Sequence, residues 1–315
     1  MPDLSVIILT PDSYKTIHKT IHLLSLQSVK SRMEIVIVAP SLEALSPDLS
    51  LLNQFEQYRV VQVGKIKSIG SAYAAGVREA SAPVVALAEE HSFPKAGWAE
   101  AFLEAHHQAW AAVGPVVLNA NPYNSISWAD LYIAYGRWLE PGEKGSIDHL
   151  PGHNSSYKRD ILLQYGSALE VMMEAESVMH WDLRSKGYQL CLEPAAQTLH
   201  TNFGELSTFL LAQFYSGRQF AASRVENESW PLMRKLFYSA ASPLIPAVRL
   251  YRILKNLRHG DGSNPLITVL PALLLGLFVD AAGQSVGFTF GAGDATRILV
   301  DLEFHRDQHM GKSSR

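Results

Sequence analysis

The chain opens on an uncharged run, Leu4-Ser5-Val6-Ile7-Ile8-Leu9, that stops at Thr10-Pro11-Asp12-Ser13, and this pattern of apolar run and polar stop recurs. Glu34-Ile35-Val36-Ile37-Val38 ends at Ala39-Pro40-Ser41, Tyr58–Val63 forms a third run, and Ala82–Ala88 a fourth. Short β-branched runs closed by turn residues predict buried strands. Between them the spacing changes. Ile17, Ile21, Leu24 and Leu26 recur at near-helical intervals over Tyr14–Gln27, Ile69–Ala80 reads as a helix behind Gly70, and Trp98–Trp110 as another. Strands alternating with helices predict βαβ units, and so an α/β fold with a mostly parallel sheet covered by helices on both faces.

The fourth run breaks off at Glu89-Glu90-His91, before Ser92-Phe93-Pro94. Open α/β sheets bind ligands beyond the C-terminal ends of their strands. A carboxylate and a neutral imidazole two residues apart can hold a divalent cation, and that cation can neutralise a diphosphate. A polar turn after a buried strand gives the same three letters, so the triplet alone leaves both readings open. A Gly-Lys-Ser/Thr phosphate loop is absent, as is a Gly-x-Gly-x-x-Gly after the first strand, which excludes the ordinary P-loop and dinucleotide sites.

Composition narrows the class further. The net charge of −3 over 315 residues, with no long basic run in the first two hundred, argues against a nucleic-acid partner. The single cysteine, Cys191, excludes an intrachain disulfide and a cysteine zinc site, and is expected in the core. Met1-Pro2-Asp3-Leu4 has neither the basic start nor the long apolar stretch of a signal peptide, so this end is expected in the cytoplasm.

Taken in order, the strand into Thr10-Pro11, Gln27, Glu34–Val38, the stretch Gly70–Gly76 and the acidic triplet before a proline resemble a family 2 glycosyltransferase with the GT-A nucleotide-sugar fold. The second half is similar too. Leu150-Pro151-Gly152-His153-Asn154-Ser155-Ser156-Tyr157-Lys158-Arg159 resembles the family's acceptor-side segment, and Glu174-Ala175-Glu176 stands where the family carries an acidic pair. The resemblance spans roughly residues 4–225 and implies an inverting transfer from a nucleotide-diphosphate sugar. It makes Glu176 the base and places Thr10, Pro11, Gly70, Glu89, Glu90, Asn154 and Arg218 at the donor. It also implies a divalent cation, Mn2+ or Mg2+, on Glu89, His91 and His200. Trp181 becomes a candidate for stacking on a sugar ring, whereas Trp98 and Trp128 read as packing and His153 as a loop residue without a role. The chain departs from the family in four places: Glu89-Glu90-His91 replaces an aspartate-rich triplet, Ala39-Pro40-Ser41 replaces the acids that read the base, Tyr73-Ala74 replaces an Arg-Asn pair, and Glu176 replaces an aspartate.

The C-terminal third changes character. From Trp230 to Arg258 bulky apolar residues mix with Arg234, Lys235, Arg249, Arg252, Lys255 and Arg258, a composition expected of an amphipathic surface on an anionic bilayer face. Leu266–Val279 is almost wholly apolar. Pro271, Gly276 and Asp280 interrupt or close it, and it reaches membrane length only if continued to Phe290, so an interfacial or re-entrant hairpin is expected. Residues from His305 onward read as a frayed polar tail. The domains drawn on this basis are 1–225, 226–304 and 305–315. The expected partners are a nucleotide-sugar donor, a lipid-linked or glycan acceptor and a membrane surface, at the cytoplasmic face of the cell membrane. The competing reading is a non-catalytic GT-A-like module that binds a nucleotide-sugar or glycan, or scaffolds an assembly at the membrane.

Overall fold

The computed structural model describes residues 1–257 and 266–311, so Arg258 and residues 312–315 lie outside the described part. In chain order the elements are β1 (Leu4–Leu9), α1 (Tyr14–Ser25), β2 (Met33–Ala39), α2 (Leu42–Leu45), α3 (Leu49–Leu52), β3 (Gln57–Gln62), α4 (Ile69–Glu79), β4 (Val84–Ala88), β5 (Ser92–Pro94), α5 (Trp98–His106), β6 (Ala112–Asn119) and α6 (Ser125–Tyr135). There follow β7 (Gly145–Ile147), β8 (Ser156–Lys158), α7 (Arg159–Leu163), α8 (Leu169–Glu174), α9 (Glu176–Ser185), β9 (Leu190–His200), α10 (Leu206–Asn227), α11 (Leu232–Ala241), α12 (Ile245–Leu257), α13 (Leu266–Phe290) and α14 (Ala295–Glu303).

The chain divides into two compact units, residues 1–118 with 142–200, and residues 119–141 with 201–315. The second unit takes in α6, which lies between two segments of the first along the chain.

In the first unit the strands run β3-β2-β1-β4-β8-β6-β9-β5, with β7 beside β9. The parallel character expected from the βαβ pattern holds for β3, β2, β1 and β4. Beyond β4 the pairing turns antiparallel, with β8 against both β4 and β6, and β5 and β7 against β9. The mixed half holds short strands of three residues, too short for a periodicity to announce direction. On one face Val6, Ile8, Ile35 and Ile37 pack with Ile17, Ile21 and Leu24 of α1 and with Trp98 and Phe102 of α5. On the other, α4 sets Gly76 against Ile7 and Val38. Each such aliphatic side chain contributes about 1.5–3 kcal/mol of burial. Cys191 lies in this core, as expected.

One charge is buried in the same sheet. Glu34 on β2 accepts from the Ser5 hydroxyl, from Ser81 N at 2.7 Å, from Gln57 Nε2 at 3.0 Å and from Arg59 Nε at 2.9 Å. Burial alone would raise its pKa, but these donors outweigh it and hold the carboxyl below the usual range. A depressed carboxylate contributes stability that is present above its unfolded pKa and lost as pH falls through the folded value. Glu34→Gln is therefore expected to lower stability at neutral pH by on the order of 3 kcal/mol. In urea melts the gap to the wild type should close as the pH drops below about 4; a gap independent of pH would show that the charge is not what Glu34 contributes.

In the second unit α13 is one continuous helix of 25 residues. The expected hairpin is therefore corrected. Pro271 lies near the start of the helix, where its missing N–H costs a single backbone bond. The glycines serve as packing surfaces against α10: a Cβ on Gly283 would stand 2.0 Å from the Phe214 carbonyl oxygen. Nor is the tail frayed over its described residues, 305–311. Arg306 is buried, with Nη1 3.6 Å from Asp130 Oδ2 and its guanidinium 4.1 Å from the Phe203 ring centroid, and a 3-10 turn forms over Arg306–His309. A polar stretch was misread because a single arginine can anchor it through a buried acid.

Candidate active site

The triplet Glu89-Glu90-His91 sits where β4 ends, beside the end of β1, and its backbone is held from three sides. The Thr20 hydroxyl of α1 lies 3.3 Å from the carbonyl oxygens of Glu89, Glu90 and Ser92. The Tyr73 hydroxyl of α4 donates to the Ala88 carbonyl at 2.9 Å. On the third side, the loop before β8 bonds to β4 through Asn154 N to Leu87 O and Leu87 N to Ser155 O, both 3.0 Å. All three residues of the triplet are buried, which an ordinary polar turn would not be.

Glu89 is the centre of the cluster. Its Oε2 accepts from Asn154 Nδ2 at 2.8 Å and from the Ser92 hydroxyl at 2.9 Å, and lies 3.6 Å from His91 Nε2 and 3.7 Å from His200 Nε2. Its Oε1 lies 3.2 Å from His153 Nδ1. Burial opposes its charge, but His91, His153 and His200 together hold the carboxyl well below the usual carboxylate range. His200 ends β9 and is paired in register with Ser92, which brings its ring edge-on to His91 at 4.9 Å.

Glu89, His91 and His200 each offer one ligand atom within 4.8 Å of the others. One carboxylate oxygen and two imidazole nitrogens suit Mn2+, which accepts both, better than Mg2+, which prefers oxygen. The surroundings fit as well. His91 Nδ1 stands at an ion-pair distance of 3.2 Å from Glu90 Oε1 and its Nε2 3.6 Å from Glu89 Oε2, so a carboxylate lies beside the nitrogen left over when the other faces the cluster, as is common for metal-binding imidazoles.

A second carboxylate joins the cluster through His153. The Nε2 of His153 is in contact with Oε1 of Glu176, the first residue of α9, while its Nδ1 faces Glu89. Burial would lower the pKa of this imidazole, yet Glu176 and Glu89 raise it well above the ordinary histidine value. Gly152 gives Glu176 its space, because a Cβ there would lie 2.5 Å from the glutamate side chain. Asn154 adopts φ +85°, a left-handed conformation that asparagine tolerates better than most residues, and so aims its amide at Glu89. Further along α9, His180 Nε2 lies 3.0 Å from the Tyr157 hydroxyl and Leu150 N approaches its Nδ1 at 3.5 Å, which ties the helix to the same loop.

The structure thus gathers Glu89, Glu90, His91, His200, Asn154 and Glu176 in one place. Thr10 lies at the end of β1 on the same sheet edge, its hydroxyl donating to the Ser13 carbonyl at 2.9 Å, with Pro11 next to it. Gly70 is the second residue of α4, and its N–H is committed to Glu174 Oε2 at 2.9 Å. Arg218 belongs to the second unit, where its Nε donates to the Gly291 carbonyl at 2.9 Å. Three participants were missed: His153, Ser92 and Tyr73. Only His153 carried a signal, as an ionisable residue between Gly152 and Asn154.

No family model matches the chain, and no curated protein matches it by sequence. Solved structures do resemble it. The mannosyltransferase PcManGT from Pyrobaculum calidifontis, in complex with GDP-Man and Mn2+, superposes with a TM-score of 0.55 at 12% identity, covering 90% of this chain and 87% of that one. GalNAc-T7, with UDP, GalNAc and Mn2+, gives 0.48 at 13% identity over 63% of this chain. The match takes in 43% of GalNAc-T7, so the chain covers less than half of that protein. S. aureus TarS, residues 1–349 with UDP, gives 0.45 at 14% identity over 91% of each chain. The likeness to PcManGT establishes the fold: a GT-A-type mixed α/β sheet flanked by helices, with an apolar helix near the C-terminal end.

Proposed function

We propose that the chain is an inverting glycosyltransferase of family 2 type, moving a sugar from a nucleotide-diphosphate sugar to a lipid-linked or polysaccharide acceptor. One observation carries this reading: on a GT-A fold, at the edge where β1 and β4 end, a buried three-residue cation site and a second carboxylate share one histidine. A fold alone does not define chemistry; that cluster supplies it.

Glu176 takes the proton of the acceptor hydroxyl as its oxygen attacks the anomeric carbon, while the bond to the diphosphate breaks on the opposite face. His153 holds the Glu176 carboxylate in place. Asn154 and Ser92 orient Glu89, and Glu90 orients His91. A divalent cation, Mn2+ by donor set and Mg2+ as the alternative, supplies positive charge for the departing diphosphate when bound to Glu89, His91 and His200. Thr10, Pro11 and Gly70 are assigned to the donor side. We place the acceptor, and with it the enzyme, at the cytoplasmic face of the cell membrane.

A thermal-shift titration with UDP, GDP and dTDP, each with and without Mn2+, tests the donor site. A ligand bound by the native state alone at about a hundredfold excess over its Kd adds about 2.7 kcal/mol. One nucleotide is expected to stabilise the protein only with Mn2+ present, which also identifies the base. Stabilisation by none of them would leave the non-catalytic scaffold as the better account.

A further inference from the structure

Within the second unit, α11, α12 and α13 turn large apolar side chains outward. In α11, Leu232, Met233, Leu236 and Phe237 are all exposed, Met233 by 75% and Phe237 by 68%, and no residue of the helix is buried. Its inward side carries the Tyr238 ring, 4.5 Å from that of Trp230, and the Ser239 hydroxyl, 2.8 Å from that of Ser285. The outward line continues through Leu244, Val248 and Tyr251, at helical spacing, while Arg249 turns inward to Asp280 at 2.6 Å. α13 is apolar on both sides: Val269, Leu273 and Leu277 are buried together with Asp280 and Gln284, which are bonded to each other at 2.8 Å, while Ile267, 90% exposed, shares an outer face with Leu275 and Phe278. A helix packed on a water-soluble core ordinarily keeps that outer face polar.

Charge selects what covers this face. From Pro231 to Leu257 the chain holds Arg234, Lys235, Arg249, Arg252 and Lys255 and no aspartate or glutamate, in a protein whose net charge is −3. Arg234 and Arg249 serve Glu228 and Asp280. Arg252 and Lys255 are exposed at the end of the apolar line, where long cationic side chains can rise to a headgroup layer. A second copy of the same face would set like charges against each other; an anionic bilayer meets both the apolar line and the cations.

We propose that the outward face of α11–α12, centred on Met233, Phe237, Val248 and Tyr251 and flanked by Arg252 and Lys255, docks peripherally on an anionic lipid bilayer. One helix among the described residues, α13, is long and apolar enough to cross a membrane. Its buried Asp280 and Gln284 and its close packing on α10 instead keep it part of the protein, with its exposed stripe available to lipid. The proposal rests on the membrane part of the reading above and is independent of the sugar chemistry.

The full chain is mixed with vesicles of phosphatidylcholine alone, or with roughly one-third phosphatidylglycerol, and floated on a density gradient. Binding to the anionic vesicles is expected to exceed binding to the neutral ones by about tenfold and to weaken with salt. Met233→Glu with Phe237→Glu should abolish it with the melting temperature unchanged, because both side chains are exposed. Arg252→Glu with Lys255→Glu should remove the preference for anionic lipid while leaving residual binding. Wild-type protein that floats with neither vesicle overturns the proposal. So does a dimer in analytical ultracentrifugation that the Met233→Glu, Phe237→Glu variant dissolves, for then a second copy covers the face. Nucleotide and Mn2+ titrations of the same samples without vesicles keep the two readings apart, since either can fail while the other stands.

Discussion

Glu176→Gln is expected to lower kcat by about 10²–10⁴-fold, the usual contribution of a general base, while nucleotide-dependent stabilisation stays at the wild-type level. The amide keeps the length and planarity of the side chain, so it fits the space that Gly152 leaves and still reaches His153. What it loses is the ability to accept a proton at the moment the acceptor oxygen attacks. A residue that acts only in that step should depress kcat and kcat/KM together, and leave donor affinity alone. The contact with His153 gives an internal control: a purely structural Glu176 would show itself as a lower melting temperature with an unchanged turnover. Turnover at the wild-type level in a folded Glu176→Gln variant would remove the residue from the base role and leave the proton to another group.

Strands β1, β2 and β4 were legible because each is buried along its whole length, so hydropathy and element coincide, and α1 and α4 because their apolar spacing is helical; the four-residue helices α2 and α3 gave no such signal. The acidic triplet was legible for a related reason: charge at the end of an apolar strand is costly unless it has partners. Those partners could not be read. His153 and Ser92 reach Glu89 through a loop and a three-residue strand whose positions depend on the antiparallel half of the sheet, and no local periodicity encodes that half. The C-terminal part shows the opposite failure. Pro271, Gly276 and Gly283 look like breaks in a linear string, yet inside α13 the glycines let two helix backbones approach. Arg306 looks like part of a tail until Asp130, 176 positions earlier in the chain, accounts for its burial. Local pattern thus specified the elements, while the site was specified by which elements meet.

Glu89→Ala should raise the dissociation constant for Mn2+ by at least about 100-fold, since loss even of an outer-shell partner typically costs 10–100-fold. Free Mn2+ measured by electron paramagnetic resonance gives this directly, without any turnover assay. The effect is expected to be large because Glu89 is the only carboxylate of the three-residue cluster and the only anion facing His91, His153 and His200 together. Removing it also leaves three imidazoles around an uncompensated pocket, so the alanine variant is expected to be less stable as well. His200→Asn therefore runs beside it. This change removes one nitrogen ligand at the end of β9 while leaving Glu89 with His91, Asn154 and Ser92. It should weaken Mn2+ binding by a smaller factor and reduce the nucleotide stabilisation that depends on the metal. If both variants fold and bind Mn2+ as the wild type does, Glu89, His91 and His200 form a buried ion-pair network that stabilises the sheet edge, and the diphosphate must be neutralised by cationic side chains instead.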